Sequence, residues 1–236
     1  MMGCQRLPTP PPLPGFHRSL PALGRNPGED AAGGCGVVYK EERLDSAGNR
    51  TGEFYAVKYQ SRRELEAGGG ARAAVAGREL VNQLLAGHAT VAVFVRAELL
   101  ADTINPGEAR GWLVTVSEFC SHGNLLAWLK SQPGWKASEA LARHAIVQVV
   151  EAVQHLHRND LVHRDLKLDN ICVMPPAGAT VGQTLNLAGV APVIKLIDFG
   201  ASRSVTNGSL VQSRAGTYHF MAPEVRCGCK VCCNAL

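Results

Sequence analysis

The sequence lacks long apolar runs, blocks of like charge and an apolar core near its N-terminus. Its longest apolar runs, such as residues 91–95, are far shorter than the roughly 20 residues that a membrane-spanning helix needs. Lys and Arg (24) exceed Asp and Glu (20) by only 4, which does not favour a nucleic-acid or polybasic membrane surface. Because a signal peptide also needs an apolar core, we expect neither a secreted nor a membrane-spanning protein.

The cysteines lack the spaced pairs of a disulfide framework. Four are scattered and four crowd the last ten residues: Cys4, Cys35, Cys120 and Cys172, then Cys227, Cys229, Cys232 and Cys233. This pattern predicts a reducing, intracellular location, the cytoplasm. The terminal cluster leaves three interpretations open, which are a zinc site, a lipidation box at residues 233–236 and an unrelated terminal peptide.

Proline is present mainly at the N-terminus. Seven of the thirteen prolines lie in the first 27 residues, including the run at residues 10–12. Proline disfavours helices and sheet ladders, so residues 1–28 are predicted to form a disordered, Pro-rich arm. A polyproline ligand for an SH3-type partner is the alternative.

From residue 36 onwards the pattern is that of a folded domain. β-branched and aromatic residues predict strands at residues 36–43, 53–59, 113–119, 170–174 and 193–197. Helices are predicted over residues 72–85 and 138–157. The longer helix has apolar positions at steps of three and four, which predict one buried face made of Ile146, Val149, Val150, Val153 and Leu156. Strands with one helix, followed by mainly helix, indicate an α+β fold with two lobes.

Three motifs follow one another in the second half of the chain. Residues 163–170 read His-Arg-Asp-Leu-Lys-Leu-Asp-Asn, residues 198–200 read Asp-Phe-Gly and residues 222–224 read Ala-Pro-Glu. In this order the chain resembles the eukaryotic protein kinases, serine/threonine branch, over residues 31–224. The resemblance implies a kinase N-lobe at residues 29–117, a partial C-lobe at 118–224 and a divergent Cys-rich tail at 225–236.

The motif residues match a phosphoryl-transfer site that uses ATP and Mg²⁺. Asp165 is expected to orient the substrate hydroxyl and accept its proton, and Lys167 to contact the transferring phosphate. Asn170 and Asp198 offer the oxygen ligands that Mg²⁺ prefers. The alternative is that Asp165 and Asp198 are ordinary loop-capping carboxylates.

Upstream residues match the nucleotide phosphate site. Counting back from Val38, the glycine-rich loop has Gly36 and Gly33 but Ala31 at its first glycine position. Lys58 matches the lysine that holds the phosphates, and Glu79 is its expected ion-pair partner, with a plain surface glutamate as the alternative. One helical turn further on, Gln83 departs from the apolar residue usual in the family, and a buried amide needs partners.

Other matches predict where adenosine binds. The backbone C=O of Glu118 and N–H of Cys120 are expected to bond adenine, beside a small gatekeeper, Ser117. Asn124 is within expected reach of ribose. The apolar positions that enclose the base are small or β-branched, and they are Val38, Ala56 and Cys172.

The resemblance also implies substrate class and regulation. Lys167 together with residues 216–217, Gly-Thr, matches kinases that phosphorylate serine or threonine on proteins. Arg164 implies control by an upstream activating kinase, because a guanidinium pairs with phosphate. Ser213 is the predicted phosphorylation site, with Thr206 and Ser209 as alternatives.

Only twelve residues follow Glu224, where kinase domains continue with several helices. We therefore expect a C-terminally truncated domain, whether from a truncated gene model, an alternative product or a degraded copy. Two further functions stay open: a catalytically incompetent, kinase-derived binding module, and a small-molecule kinase of similar fold. The missing helices favour the first of these, and the Gly-Thr and Ala-Pro-Glu elements argue against the second.

Overall fold

A computed structural model describes residues 10–21, 36–67, 76, 77, 79, 82, 87–101, 111–176, 191–205 and 216–227. Its N-terminal part is a five-stranded antiparallel sheet with the order β1-β2-β3-β5-β4. The strands are β1 (Phe16–Pro21), β2 (Val37–Leu44), β3 (Arg50–Ser61), β4 (Phe94–Ala101) and β5 (Gly111–Glu118). The three strands predicted between residues 36 and 119 are β2, β3 and β5.

The prediction that residues 1–28 build no sheet ladder is wrong for β1, which pairs antiparallel with β2. Five of the prolines precede this strand, and Pro21 is its last residue. Because β1 is at the edge of the sheet, no strand pairs with its outer side, and a proline at its end removes no hydrogen bond there. Leu13, just ahead of the strand, is only 1% exposed. Residues 1–9 and 22–28 of the predicted arm lie outside the described residues.

One face of the sheet carries a hydrophobic core. Side chains alternate along a strand, so Val57 and Tyr59 of β3 are buried in this core while Lys58 points to the opposite face. Tyr59 meets the rings of Tyr39 and Trp112 edge to face. The alternation therefore places Lys58 on the face of the sheet opposite the hydrophobic core, where it can take part in a binding site.

Four helices have described bounds: α1 (Arg62–Ala67), α2 (Leu125–Ser131), α3 (Glu139–Arg158) and α4 (Pro223–Arg226). Within the predicted helix over residues 72–85, the four described residues are helical; we call Ala76, Gly77, Glu79 and Asn82 the Glu79 segment. Ala76, Glu79 and Asn82 are spaced by three residues and are buried, whereas Gly77 is exposed. This is expected for a helix that packs one face against the protein. Gln83 lies outside the described residues.

The start of α3 matches its sequence signal. Ser138 caps the helix by accepting a hydrogen bond from the Leu141 N–H at 3.2 Å. The prediction for the buried face is only partly right, because Ile146 and Val150 are exposed. Val149 and Leu156 pack into the core as predicted, and they are joined there by two alanines that were not predicted, Ala145 and Ala152. Small alanines let the helix approach the strands closely, which a pattern of large apolar residues does not reveal.

Short strands support the C-terminal part. β6 (Leu161–Val162) pairs with β9 (Arg203–Ser204), and β7 (Ile171–Met174) pairs with β8 (Val193–Leu196). Helix α3 packs on this layer through the second hydrophobic core. No helix in the described part of the chain has the length and apolar character needed to cross a membrane.

Backbone hydrogen bonds join the two parts. The N–H of Ala92 donates to the carbonyl of Leu196 at 3.0 Å, and the N–H of Leu196 donates to the carbonyl of Thr90 at 2.8 Å. On the other side, the His122 N–H donates to the Val173 carbonyl at 3.2 Å.

Candidate active site

Lys58 and Glu79 form an ion pair across the cleft face of the sheet. The Lys58 Nζ lies 2.5 Å from the Glu79 Oε1. Strand β3 supplies the lysine and the Glu79 segment supplies the carboxylate. A lysine held in this way presents a fixed cation to the cleft, whereas a free lysine would sample many rotamers.

Gly36 lies against the same strand. A side chain there would come within 2.9 Å of the Tyr59 carbonyl oxygen and 3.5 Å of the Lys58 Cε. Glycine is therefore required by the close approach of the β2 backbone to the lysine strand. Gly33 lies outside the described residues, so its place over the phosphates stays a prediction.

Asp165 is the centre of a hydrogen-bond network in the loop that follows β6. Its Oδ1 accepts from the N–H and the Oγ1 of Thr217, both at 2.7 Å. Its Oδ2 accepts from the Asn170 Nδ2 at 2.8 Å and pairs with the Lys167 Nζ at 2.9 Å. The Lys167 Nζ also donates to the Thr217 Oγ1 at 2.6 Å. Both carboxylate oxygens are therefore fixed in direction.

The charge of Asp165 is set by two opposing effects. Burial disfavours the ionised form and by itself would raise the pKa. Hydrogen bonds from Lys167 and Thr217 outweigh it and hold the pKa of Asp165 below 3.8. The group is therefore a carboxylate at neutral pH, able to accept a hydrogen bond from a substrate hydroxyl.

His163 joins this loop to the segment that carries Asp198. Its Nε2 donates to the Ile197 carbonyl at 3.0 Å, and its Nδ1 accepts from the Asp165 N–H at 3.3 Å. The ring packs edge-on against Phe199, with 5.2 Å between centroids. Burial lowers the pKa of His163, so the ring is a neutral Nε2–H tautomer that orients both loops.

Asp198 lies in a strained backbone conformation beside Glu79. Its φ is +64°, in the left-handed region that non-glycine residues rarely adopt. The Gly200 N–H donates to the Asp198 Oδ1 at 3.3 Å. A side chain on Gly200 would lie 3.2 Å from that oxygen and 3.6 Å from the Glu79 Oε2. The glycine thus lets the Asp198 carboxylate and the Lys58–Glu79 pair lie close together.

The residues predicted to bind Mg²⁺ fit that ion chemically. The Asn170 Nδ2 donates to the backbone carbonyl and the Oδ2 of Asp165, each at 2.8 Å, which leaves the Asn170 Oδ1 as the atom available to a cation. The Ile197 N–H donates to the Asn170 carbonyl at 2.9 Å and so holds Asn170 next to the Asp198 strand end. One amide oxygen and one carboxylate are hard ligands of the kind that Mg²⁺ shares with phosphates and water.

The hinge side of the cleft contains the predicted adenine residues. Ala56 and Ser117 are paired across β3 and β5, and the Ser117 Oγ donates to the Ala56 carbonyl at 3.4 Å. Cys120 and Cys172 are both buried. The hydrogen bond with Cys172, together with burial, raises the pKa of the Cys120 thiol, so Cys120 is an uncharged, apolar lining residue at neutral pH.

Two hinge residues have structural partners that the sequence did not reveal. The Glu118 carboxylate pairs with the Lys195 Nζ at 3.0 Å and accepts the Val93 N–H at 3.1 Å. The Asn124 Oδ1 caps α2 by accepting the Ala127 N–H at 2.8 Å. The backbone contacts of Glu118 to adenine and the contact of Asn124 to ribose remain predictions.

The regulatory residues are described only in part. The Arg164 Nε donates to the Ala201 carbonyl at 2.7 Å, so the guanidinium holds the backbone that follows Gly200. Ser213, with the alternatives Thr206 and Ser209, lies outside the described residues. Of the terminal cysteines, Cys227 is described, and it is free and exposed.

Sequence reasoning assigned Thr217 only to substrate class and missed its contacts with Asp165 and Lys167. Gly216 makes these contacts possible, because a side chain there would overlap the Arg164 carbonyl oxygen. The Gly-Thr pair, separated by four residues from the Ala-Pro-Glu motif, was the available signal. A buried hydrogen bond between Asn82 and Ser202 was also missed.

Comparisons with known proteins agree with the geometry. A family model described as a protein kinase domain matches residues 32–231. The serine/threonine-protein kinase atg1 of Schizosaccharomyces pombe is 32% identical over 148 residues, which cover 53% of this chain and 18% of that protein. Calcium/calmodulin-dependent protein kinase type IV of Mus musculus is 40% identical over 92 residues, covering 39% of this chain and 17% of that protein.

A third relative is the NUAK family SNF1-like kinase 2 of Rattus norvegicus, 33% identical over 113 residues. The match covers 48% of this chain and 15% of that protein. The chain thus spans less than a fifth of the length of each of these three relatives.

Proposed function

This chain belongs to the protein kinase family, and on that premise we propose that it transfers the γ-phosphate of ATP to serine or threonine hydroxyls of other proteins. The single observation that carries the proposal is the network around Asp165. Its two oxygens are held by Thr217 on one side and by Asn170 and Lys167 on the other. Such fixed geometry is what phosphoryl transfer asks of a protein, because positioning and charge supply most of the rate.

Each side chain has one task in the transfer. Asp165 accepts a hydrogen bond from the substrate hydroxyl, which directs a lone pair of that oxygen at the phosphorus, and it takes the proton as the new bond forms. Lys167 lies beside the same carboxylate and stabilises negative charge on the transferring group. Lys58, fixed by Glu79, holds phosphate oxygens of the nucleotide. Asn170 and Asp198 would hold Mg²⁺, which neutralises charge on the phosphates when bound.

The choice of serine or threonine rests on Lys167 and its contact with Thr217. Residues Gly216 and Thr217 lie against the catalytic loop and form one wall of the place where a peptide hydroxyl must enter. We propose that the substrates of this site are proteins and that an upstream activating kinase phosphorylates Ser213. Nucleic acid is not an expected partner, and the expected location is the cytoplasm.

The test is transfer of labelled γ-phosphate from Mg²⁺-ATP to a generic serine/threonine peptide. We expect transfer by the wild type and a loss of at least about a hundredfold in Asp165→Asn and in Lys58→Met. Asp169→Asn is the matched control, because it makes the same change in the same loop outside the Asp165 network.

All four proteins are first checked for a cooperative thermal transition. A folded wild type that transfers no phosphate would overturn the proposal. Nucleotide binding without transfer would then support the second candidate function, a catalytically incompetent binding module.

A further inference from the structure

A buried hydrogen bond connects the Glu79 segment directly to the chain that follows Asp198. The Asn82 Nδ2 donates to the Ser202 Oγ at 2.7 Å, and both residues are only 4% exposed. The two residues are 120 positions apart in sequence. A buried amide and a buried hydroxyl that satisfy one another form a specific contact, because either group alone would be costly to bury.

The bond has a fixed direction. The Ser202 hydroxyl donates its hydrogen to the Phe199 carbonyl, which also accepts the Ser202 N–H at 3.0 Å. The Ser202 hydroxyl can therefore only accept a further hydrogen bond, and the Asn82 amide is the donor of that bond. The result is a chain of bonds from the Asn82 amide through the Ser202 hydroxyl to the Phe199 carbonyl.

Asn82 and Glu79 act on the same short segment. They are three residues apart on a helix and therefore share one face. Glu79 lies against Gly200, since a side chain on that glycine would come within 3.6 Å of its Oε2, and Asn82 holds Ser202. The helix thus contacts the segment from Asp198 to Ser202 at two points, one on each side of Ala201.

The segment needs external support. Asp198 adopts a φ of +64°, and a conformation so rarely populated persists only where its surroundings hold it. The catalytic loop supplies part of that support through His163 and Arg164. Further support comes from the helix, on the side of the Lys58–Glu79 pair.

We propose that Asn82 is a positioning residue, which holds Asp198 in its metal-binding conformation through Ser202 and the Phe199 carbonyl. This inference rests on the proposed function of Asp198 as a magnesium ligand.

The test measures the Mg²⁺ concentration that half-saturates binding of the non-hydrolysable analogue AMP-PNP. Asn82→Leu keeps a similar volume and removes the donor, and Ser202→Ala removes the acceptor. We expect each to raise the half-saturating Mg²⁺ concentration about five- to tenfold, as loss of one neutral buried hydrogen bond implies. The double variant is expected to show no more than the larger single effect, because both changes remove one chain of bonds.

Tyr59→Phe is the matched control. The Tyr59 hydroxyl donates to Glu41 at 2.8 Å in an equally buried side-chain bond, but on the opposite face of the sheet. We expect this variant to lower the free energy of unfolding and leave the Mg²⁺ dependence unchanged.

Each outcome decides the proposal. If Asn82→Leu and Ser202→Ala lower stability but leave the Mg²⁺ dependence at the wild-type value, as Tyr59→Phe does, Asn82 is merely structural. Additive effects in the double variant would also reject the chain of bonds. If Asn82→Leu fails to fold, Ser202→Ala alone carries the comparison. A wild type that binds no Mg²⁺-AMP-PNP overturns the proposed function and this inference together, whereas binding without transfer overturns only the former.

Discussion

At the scale of single residues, several side chains of the site connect two or more partners. Thr217 is the clearest case, since its hydroxyl donates to the Asp165 Oδ1 and accepts from the Lys167 Nζ. A hydroxyl that bonds to both a carboxylate and an ammonium group holds the two groups in fixed positions relative to one another. Neither charge would hold its direction as well if water replaced that hydroxyl, because water must be reordered at each turnover.

Replacing Thr217 by alanine should therefore slow catalysis more than it weakens binding. We expect Thr217→Ala to lower kcat about 10- to 100-fold, the range for hydrogen bonds to charged groups, with a small change in KM for ATP. Steady-state kinetics at saturating peptide measures both. Thr217→Ser keeps the hydroxyl and should retain most of the activity. Equal losses in the alanine and serine variants would show that the methyl group, and not the bridge, is what matters.

His163 predicts a pH dependence of stability. Burial lowers its pKa below 6.5, so the unfolded chain takes up a proton more readily than the folded one. The stabilising contribution of the neutral ring is complete above pH 6.5 and is lost as the pH falls from there towards the lowered pKa. Urea denaturation between pH 8 and pH 5 should show a smaller decline for His163→Gln than for the wild type.

The slope of stability against pH is the informative quantity, because His163→Gln also changes packing at every pH. His219→Gln, at an exposed position, serves as the comparison for the same change of residue type outside the core. Parallel curves for wild type and His163→Gln would contradict the neutral-tautomer assignment.

At the scale of elements, β1 is an integral part of the N-terminal sheet. Arg18 pairs with the fully buried carboxylate of Glu41 at 2.9 Å and lies over the Tyr39 ring at 3.7 Å. Leu13 inserts into the core beneath the same residues. A buried carboxylate without its cation is costly, so the strand and its side chains stabilise one another.

Removing either anchor of β1 should destabilise the protein. We expect Leu13→Ala to lower the free energy of unfolding by about 3 kcal/mol through the cavity it leaves. Arg18→Met should cost about 3 kcal/mol or more, because Glu41 stays buried and loses its partner. Arg43→Met breaks an exposed ion pair with Glu53 and should cost less than about 1 kcal/mol. Chemical denaturation that ranks Arg43→Met with the other two would refute a buried anchor.

The sequence predicted five of the nine described strands, and β1 is one of the four that it missed, for physical reasons. Proline density dominated the first 28 residues, while the partner strand and the buried Glu41 that favour pairing lie more than 15 residues downstream. Ala31 and Gly33 lie outside the described residues, so the glycine-rich loop counted back from Val38 stays a prediction.

Helix α3 and the site show where local patterns stop being informative. The predicted bounds of 138–157 differ by one residue at each end from Glu139–Arg158, because the cap is a local signal. Which face of the helix is buried depends on the residues that pack against it. In this protein the face with Ala145 and Ala152 lies in the core. The motif at residues 163–170 could be predicted because its residues are contiguous in the sequence. The Asn82–Ser202 hydrogen bond joins distant positions, and no local pattern predicts it.

At the scale of the whole molecule, two hydrophobic cores are joined by polar contacts around a cleft. One core belongs to the sheet and the other to α3 and its strands. The junction includes the backbone bonds at Leu196, the His122–Val173 backbone bond and the partly buried Lys195–Glu118 pair. Hydrogen bonds fix direction where apolar contacts would permit sliding, so the cleft between the cores has a defined geometry.

The outer face of α3 gives the last prediction. Ile146 and Val150 are 63% and 47% exposed and lie one turn apart, so they stabilise the fold little and present apolar area to solvent. We expect Ile146→Glu/Val150→Lys to leave the free energy of unfolding within about 0.5 kcal/mol of wild type and to reduce self-association. The charges are placed in the order that favours an i,i+4 pair on a helix.

Light scattering and denaturation measure the two effects separately. Ala152→Leu is the comparison on the buried face of the same helix, where Ala152 is 1% exposed, and overpacking should cost about 1–3 kcal/mol. If the charged pair destabilised the protein as much as Ala152→Leu, the two residues would have to be packed against protein, and the core would have to lie on the face that the large apolar residues predicted. Unchanged stability with reduced association would establish that the helix packs on the second core through the face with Ala145 and Ala152 and not through Ile146 and Val150.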